Sequence, residues 1–229
     1  TAAKYDITRA EQDAYAIRSY QNTALNTENR VFSNEIVGVC VPQRRGETRL
    51  ILEDEEYKNV KFEKIPQLRA AFSPTGTVTA ANASTMNDGA AALILASAAA
   101  VKKYDLKPLA KILSFADTAH EPAWFTTAPT HAAPKALALA KLAVTDVDYF
   151  EVNEAFSVVP LAFNKILNID INKVNVHGGA VSLGHPLGAS GARIVTTLQN
   201  VLQSKDATIG CAAICNGGGG ASALVIERV

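Results

Sequence analysis

The sequence has 229 residues, with 22 Lys and Arg side chains against 22 Asp and Glu, so its formal net charge at pH 7 is zero. A nucleic-acid-binding protein needs a surplus of basic side chains, so this balance argues against a nucleic-acid partner. The longest apolar run, 89–101, is shorter than the ~20 residues of a bilayer-spanning helix, and we expect no membrane partner. Three cysteines are too few for a disulfide framework and favour a reducing compartment.

The first third of the chain is polar and mixed in composition. Thr8, followed three residues later by Glu11, predicts a capping box that begins a helix reaching about Gln21. Two short strands are predicted beyond it, at 37–42 and 48–52.

From Thr77 onward Ala and Val dominate, and strand and helix signals alternate. Asn87 and Asp88 predict the cap of an Ala-rich helix that ends near Lys102. The later predicted elements are strand 113–116, helix 134–142, strand 149–152, helix 154–167, strand 174–176, helix 190–202 and strands 208–214 and 221–226. This alternation predicts an α/β chain with a mostly parallel sheet covered on both faces, to which the closing strand pair adds an antiparallel edge.

Three segments place a reactive polar side chain just beyond an apolar strand, where open α/β sheets bind ligands. In the first, Asn153 follows the strand 149–152. Its amide either caps the next helix or holds a water or an oxyanion. Glu154 behind it has a simpler interpretation, a favourable charge in the first turn of that helix.

The second segment holds five glycines in 14 residues, 178–191, and places His185 between Gly184 and Pro186. Clustered glycines allow positive φ and the close approach of a ligand or another backbone. The spacing matches neither the dinucleotide fingerprint nor the P-loop. A histidine held on such a turn is as consistent with catalysis as with a structural role.

In the third segment Cys215 ends an apolar strand and precedes a run of four glycines beyond Asn216, whose N–H groups suit a developing oxyanion. The alternative is a buried structural cysteine, which is our interpretation of Cys211. Zinc is a poor interpretation because the two cysteines lack a second ligand pair. Cys215, His185 and Asn153 together supply a thiol, an imidazole and an amide, which suit carbonyl chemistry with proton or acyl transfer.

These segments resemble signature blocks of the thiolase family and occur in the family's order. The blocks are Asn-Glu-Ala-Phe at 153–156, Gly-Gly-Ala-Val-Ser-Leu-Gly-His-Pro-Leu-Gly-Ala-Ser-Gly-Ala at 178–192 and Cys-Asn-Gly-Gly-Gly-Gly at 215–220. An earlier block at 78–91 resembles the family's passage from loop domain to core, and with Phe125 it favours the short-chain branch.

The resemblance implies the α/β thiolase fold, a five-layered αβαβα arrangement of two similar halves. It assigns 1–87 to part of a loop domain that covers coenzyme A. It assigns 88–108 to the closing helix of an otherwise missing N-terminal core half, and 109–229 to the C-terminal core domain. We therefore expect this chain to be the C-terminal portion of a longer enzyme.

The implied reaction is the reversible condensation of two acetyl-CoA to acetoacetyl-CoA and CoA. Cys215 matches the cysteine that removes the α-proton, and His185 matches the histidine that activates a second, acylated cysteine. Asn153 matches the residue that holds a water of one oxyanion hole, and the Gly217 N–H matches a donor of the other. We expect the donors near Cys215 to lower its pKa.

No residue matches the acylated cysteine, so the 229 residues alone are expected to be inactive and to need the missing N-terminal half. The alternatives are a broad-range 3-ketoacyl-CoA thiolase and a non-catalytic protein that binds CoA esters.

Further positions match the family's ligand sites. Those matching coenzyme A contacts are Asn59, Val60, Lys61, Lys64 and Ser84, with Asn59 in the place of a family arginine. Lys58, Lys61 and Lys64 stand three apart, a spacing that would gather them on one side toward the phosphates of CoA. From the residues alone, a solvated charged face is the preferred interpretation of these lysines. The positions matching a potassium site are Tyr20, Ala80, Ala81, Ala83 and Val181. No redox cofactor is implied, a homotetramer or dimer is expected, and the mitochondrial matrix is favoured over the cytoplasm.

Overall fold

The computed structural model describes residues 1–44 and 46–229. The helices are α1 Arg9–Glu28, α2 Ala98–Tyr104, α3 Pro129–Leu139, α4 Val158–Leu167, α5 Ala180–Leu183 and α6 Ser190–Ser204. The strands are β1 Val39–Pro42, β2 Thr48–Ile51, β3 Ala110–Ala119, β4 Tyr149–Val152, β5 Ile209–Cys215 and β6 Gly220–Arg228. Short 3-10 helices connect them at Val31–Asn34, Glu56–Asn59, Phe62–Gln67, Pro122–Thr127, Val144–Asp146 and Ile171–Lys173. Among the described residues, no helix has both the length and the apolarity to cross a bilayer.

The main sheet has the strand order β3-β6-β5-β4. Only β4 and β5 pair in parallel, whereas β6 is antiparallel to both β5 and β3. The prediction of a mostly parallel sheet is therefore wrong for this part of the fold. The short turn after Cys215 folds β6 back along β5, and the ten-residue strand β3 then pairs with the free side of β6. The closing strand is thus interior, and the predicted strand 174–176 is a single bridge between Val174 and Phe150.

Both faces of the sheet are covered, as predicted, over β4, β5 and β6, whereas β3 is largely exposed, with Phe115 at 70% exposure. Along β5, Cys211 and Ala213 face the larger core cluster, which includes Phe150 and Phe163. Ala212 faces the other side, where the α6 residues Ile194, Leu198 and Leu202 pack with Ile226. This alternation follows from the period of two in a strand. Because β4 and β5 are covered on both faces, a ligand can reach them at their carboxyl ends.

Helix α1 confirms the predicted capping box and runs further than predicted. The Thr8 hydroxyl accepts a hydrogen bond from the Glu11 N–H, while the Glu11 side chain accepts one from the Thr8 N–H. The helix continues past Gln21 to Glu28, and in this extension Thr23 is fully buried, with its hydroxyl 2.7 Å from Ser182 Oγ. Tertiary packing, rather than local propensity, sets the length of such a helix.

The predicted helix from Asn87 is wrong over most of its length. Residues 88–97 have no regular secondary structure, and α2 begins only where the Ser97 hydroxyl accepts a hydrogen bond from the Ala100 N–H. The Asn87 side chain does not cap a helix, because its oxygen accepts from the Thr85 hydroxyl at 2.6 Å. The apolar residues that follow lie in solvent, with Ile94 93% exposed, and find no surface to pack against. The domain boundaries at 87 and 108 stay predictions.

Candidate active site

The carboxyl ends of the parallel strands β4 and β5 lie side by side. Val152 pairs with Ala213, and the Asn153 N–H donates to the Ala213 carbonyl at 2.9 Å. Asn153 and Cys215 therefore leave the sheet at the same edge. The glycine-rich segment brings His185 to this edge, where its Nε2 lies 3.3 Å from Asn153 Nδ2. The structure thus brings the Asn153 amide to His185, with Cys215 at the end of the neighbouring strand.

Asn153 is fully buried, and it does not cap a helix. Helix α4 begins at Val158, five residues later, so the N-cap interpretation and the predicted helix start at 154 are both wrong. Among the described residues the Asn153 Oδ1 atom has no hydrogen-bond partner. Because a buried polar atom without a partner is costly, this orphan acceptor favours a role toward a water or substrate.

Glu154 does not serve the helix dipole, as the sequence suggested, because it lies outside helix α4 and is fully buried. Its carboxylate accepts hydrogen bonds from Tyr15 Oη at 2.7 Å, Ser19 Oγ at 2.7 Å, Asn175 Nδ2 at 2.9 Å and the Val181 N–H at 3.1 Å. A Cβ at Gly179 would lie 2.4 Å from the carboxylate carbon, so glycine is required there. Glu154 therefore ties α1, β4 and the glycine-rich segment together.

The hydrogen bonds to Glu154 support the site, and nothing in the sequence predicted them. Tyr15 and Ser19 stand four apart, which places them on one face of α1, but the partner of that polar face lies more than 130 residues away. Burial and the adjacent carboxylate raise the pKa of Tyr15 well above its usual value, so its hydroxyl stays a donor.

His185 is partly buried and lies beside the first turn of α6. Its Nδ1 is 2.6 Å from Ser190 Oγ. Burial, together with the positive charge of Arg193, lowers the pKa of His185 below its ordinary value. Arg193 is itself held by the buried carboxylate of Glu151 at 3.0 Å. The imidazole is therefore neutral at pH 7 and able to accept a proton.

An open cleft of about 590 Å³ lies beside His185. Its walls are the segment 86–91 and the turn 185–189. Gly89 lies against Pro186, where a Cβ would approach within 2.7 Å, so the two walls are in close contact at their base. The cleft gives a substrate or another part of the protein access to the imidazole.

The glycine run after Cys215 is organised by the side chain of Asn216. The Asn216 Oδ1 atom accepts the N–H groups of Gly218 at 3.1 Å and Gly220 at 3.2 Å. In residues 1–44 and 46–229 the Gly217 N–H has no acceptor. Gly217 is exposed, and a Cβ placed on it would meet no atom within 4 Å, so a ligand can approach this residue. The loop therefore presents one free N–H next to Cys215, as an oxyanion donor requires.

The three cysteines differ sharply in surroundings. Burial raises the pKa of Cys215 to about 11, so the expectation of a lowered pKa is wrong. The thiol packs against the core cluster, and desolvation outweighs the hydrogen bond from its own backbone. Such a thiol is protonated at neutral pH, and its thiolate is a strong base once formed. Cys211 is a fully buried core residue as predicted, and Cys40 is exposed on β1.

The positions matched to coenzyme A fall in two places. Ser84 lies beside the catalytic candidates, because its hydroxyl donates to the Ala155 carbonyl at 3.0 Å. The other four, Asn59, Val60, Lys61 and Lys64, lie in or beside two short 3-10 helices, 56–59 and 62–67. Lys58 pairs with Glu53 at 2.9 Å, and the backbone is extended at Lys61, so the three lysines do not share one helix face.

The positions matched to potassium offer oxygen atoms. Tyr20 and Val181 pack in one small cluster with Ala16. Within the described part of the chain, the carbonyls of Ala80, Ala81, Ala83 and Val181 accept no hydrogen bond. Carbonyl and hydroxyl oxygens are the ligands that hard cations prefer, so the donor set fits such an ion.

A thiol, a neutral imidazole and a buried amide at one sheet edge define a site for carbonyl chemistry. The chain belongs to the thiolase family: residues 106–228 match the family model of the thiolase C-terminal domain, and residues 1–99 match that of the N-terminal domain. The predicted α/β thiolase fold and family membership are thereby confirmed.

Similar proteins carry acyltransferase names. The chain is 55% identical to acetyl-CoA acetyltransferase of Schizosaccharomyces pombe and 53% identical to the mitochondrial acetyl-CoA acetyltransferase of Bos taurus. It covers 58% and 54% of their lengths, and both matches include 100% of this chain. Among solved structures, acetyl-CoA acetyltransferase of Bacillus anthracis superposes with a TM-score of 0.96 at 38% identity. Acat5 thiolase of Ascaris suum in complex with coenzyme A gives 0.89 at 44% identity. All of this chain matches 58% of each of these two structures.

Proposed function

We propose that the protein carrying this chain is an acetyl-CoA C-acetyltransferase, which reversibly condenses two acetyl-CoA to acetoacetyl-CoA and CoA. The observation that carries the proposal is the contact of Asn153 with a neutral His185 at the sheet edge where Cys215 ends β5. The names of the relatives support the same reaction.

The first half-reaction needs a cysteine that is not among the 229 residues. His185 takes the proton of that cysteine on Nε2, and the resulting thiolate attacks the acetyl-CoA carbonyl and expels the CoA thiolate. The protonated Nε2 and a water held by Asn153 donate to the oxyanion that forms during this attack. The CoA thiolate takes the proton of the Cys215 thiol, which leaves Cys215 as a thiolate for the second half-reaction. A histidine that is neutral before this step has the lone pair that the proton transfer requires.

The second half-reaction uses Cys215 as the base. Its thiolate removes an α-proton from a second acetyl-CoA, and the carbanion attacks the acetyl group on the first cysteine, which leaves as a thiolate. The Gly217 N–H donates to the enolate oxygen as charge develops there. A thiolate whose conjugate acid has a pKa of about 11 suits this task better than an acidic thiol, because the α-proton is weakly acidic.

The coenzyme and cation sites are part of the proposal. We assign Ser84 to the arm of CoA near the reacting thioester, and Asn59, Val60, Lys61 and Lys64 to its distal part. The exposed cationic side chains of Lys61 and Lys64 suit phosphates. We assign a potassium ion to Tyr20 and the carbonyls of Ala80, Ala81, Ala83 and Val181, where it would stabilise the turn that leads to Ser84.

The proposal extends to the assembly and the compartment of the protein. The exposed apolar segment 90–96 supports the need for a further, N-terminal part of the fold. A homotetramer or dimer follows from the family resemblance. Relatives include mitochondrial and cytosolic acetyltransferases, and we propose the mitochondrial matrix because of the potassium-site positions, with the cytoplasm as the alternative.

Two other functions compete with this one. A broad-range 3-ketoacyl-CoA thiolase is supported by the human mitochondrial 3-ketoacyl-CoA thiolase, which superposes with a TM-score of 0.93 at 36% identity. A non-catalytic protein that binds CoA esters would not need the base Cys215 or the free Gly217 donor, so the site geometry favours turnover.

The test is thiolysis by the full-length protein of acetoacetyl-CoA and of longer 3-ketoacyl-CoA esters, with and without K⁺. We expect a preference for acetoacetyl-CoA, activation by K⁺, and loss of at least about 100-fold in rate for Cys215→Ala. The matched control is Cys40→Ala, which changes an exposed cysteine outside the site and should leave the rate unchanged. Equal rates at all chain lengths would favour the broad-range alternative, and undiminished turnover by Cys215→Ala would overturn the assigned base.

A further inference from the structure

A continuous run of polar contacts passes through the His185 ring. On one side, Asn153 Nδ2 lies 3.3 Å from His185 Nε2. On the other side, His185 Nδ1 lies 2.6 Å from Ser190 Oγ, and the Ser190 hydroxyl reaches the Pro186 carbonyl at 3.3 Å. These contacts involve few protons, so they can be satisfied in few ways.

Counting those protons favours one arrangement. In the orientation that the structure gives the Asn153 amide, its nitrogen faces His185 Nε2, and because an amide nitrogen can only donate, Nε2 accepts. A neutral imidazole that accepts on Nε2 carries its proton on Nδ1, which then donates to Ser190 Oγ. The Ser190 hydroxyl is left with one proton, and the Pro186 carbonyl is an acceptor within reach. All three hydrogen bonds are then satisfied at once. The donors all point in one direction, from Asn153 through His185 and Ser190 to the Pro186 carbonyl.

We propose that Ser190 is the positioning residue that holds His185 in the tautomer protonated on Nδ1, with the Nε2 lone pair directed to the catalytic edge. The importance of this tautomer for turnover rests on the proposed function, because only Nε2 faces Asn153 and the site. The opposite arrangement, in which Ser190 donates to Nδ1, would place a proton on Nε2 against the donor group of Asn153.

Helix α6 holds the Ser190 hydroxyl in place. Ser190 is the first residue of α6 and is 1% exposed, so it has little freedom to turn away. One turn further, Arg193 is fixed by its ion pair with Glu151, and Leu198 packs the helix into the core. A serine fixed in this way orients the imidazole ring. In other general-base sites, a hydrogen-bonding partner on Nδ1 has the same effect.

The same helix offers a matched control at its other end. Ser204 Oγ lies 3.3 Å from Nε2 of the buried His177, so α6 carries one serine–histidine contact at each terminus. Removing the Ser204 hydroxyl changes a contact of the same chemistry without touching His185. Ser190→Thr keeps a hydroxyl at the site and serves as the conservative variant.

The experiment is ¹⁵N NMR of the histidine-labelled full-length protein above pH 7, with the His185 signals assigned by their loss in His185→Gln. In the unchanged protein we expect a protonated, pyrrole-like Nδ1 and an unprotonated, pyridine-like Nε2. Ser190→Ala should shift the population toward the Nε2-protonated form, Ser190→Thr should restore it, and Ser204→Ala should leave His185 as it was. A protonated Nε2 in the unchanged protein, or no shift in Ser190→Ala, would overturn the assignment.

A kinetic arm separates this inference from the proposed function. If the protein is a thiolase, Ser190→Ala should lower kcat by about tenfold or more with little change in KM, and Ser190→Thr should recover most of it. If the protein proves to have no thiolase activity while the NMR result holds, the proposed function fails and the tautomer assignment stands. A lowered kcat that Ser190→Thr does not recover, with tautomers unchanged, would contradict the positioning role.

Discussion

Two regions of this molecule contain similar apolar stretches but differ in what those stretches do. Residues 110–229 form the four-stranded sheet and fill both large core clusters, with Phe163 and Leu198 fully buried. In the described part of residues 36–104, the only sheet is the pair β1 and β2, and apolar side chains lie in solvent, among them Leu95 at 75% exposure. An apolar sequence makes a core only where the same chain supplies the opposing surface. This explains why 89–97, for all its Ala and Leu, has no regular structure here.

The largest expected effect tests this contrast directly with two Leu→Ala substitutions. Leu198→Ala removes a fully buried side chain and should destabilise the fold by about 2–5 kcal/mol. In the 229 residues alone, Leu95→Ala removes an exposed side chain and should change stability by less than about 0.5 kcal/mol. Urea unfolding of each variant measures the change in the free energy of unfolding. Equal losses would mean that 89–97 is covered in solution and that the contrast is wrong.

A smaller effect is the loss of stability at low pH that we expect from His177, a buried residue of the packed region 110–229. Burial lowers the pKa of His177 from 6.5 to about 4, which is worth up to about 3 kcal/mol. At His177 the folded state then binds fewer protons than the unfolded state, so the contribution of this residue to stability is fully present above about pH 6.5 and is lost as the pH falls toward 4. His177→Gln should flatten this decline, whereas His131→Gln, at an exposed site, should not. Thermal melts between pH 4 and 7 give the result, and an unchanged slope in His177→Gln would contradict it.

The smallest effect compares two helix caps. Thr8→Ala removes the capping box of α1, which packs on the core, and should cost about 1 kcal/mol of global stability. Ser97→Ala removes the cap of α2, a seven-residue helix with no buried residue, and should loosen that helix without shifting the global midpoint. Hydrogen exchange separates local from global opening. If Ser97→Ala shifted the global unfolding midpoint as much as Thr8→Ala, the two regions would unfold as one cooperative unit and the comparison would be wrong.

Local signals predicted the elements whose cause is local. The capping box at Thr8, strand β4 and the hairpin of β5 and β6 follow from residues close in sequence, and the structure contains them. Long-range partners decided the rest. The helix predicted from Asn87 lacked a surface to pack on, and β6 became interior because β3, over 100 residues earlier, pairs with it.

The site shows the same division. Strand ends and glycine clusters pointed to Asn153, His185 and Cys215, and the structure brings the first two into contact. The buried partners of Glu154 come from α1 and from Asn175, and no periodicity in the sequence links them. The direction of the Cys215 pKa depends on desolvation by the assembled core, which the sequence does not display.

The place of β6 has a consequence for how the chain folds. This strand, Gly220–Arg228, pairs with both β5 and β3, so neither neighbour can complete its hydrogen bonds until residues 220–228 have been synthesised. During synthesis β3 must wait for about 100 further residues before β6 can pair with it, and such non-local pairing slows folding. Loss of β6 would leave both β3 and β5 with an unpaired edge at once.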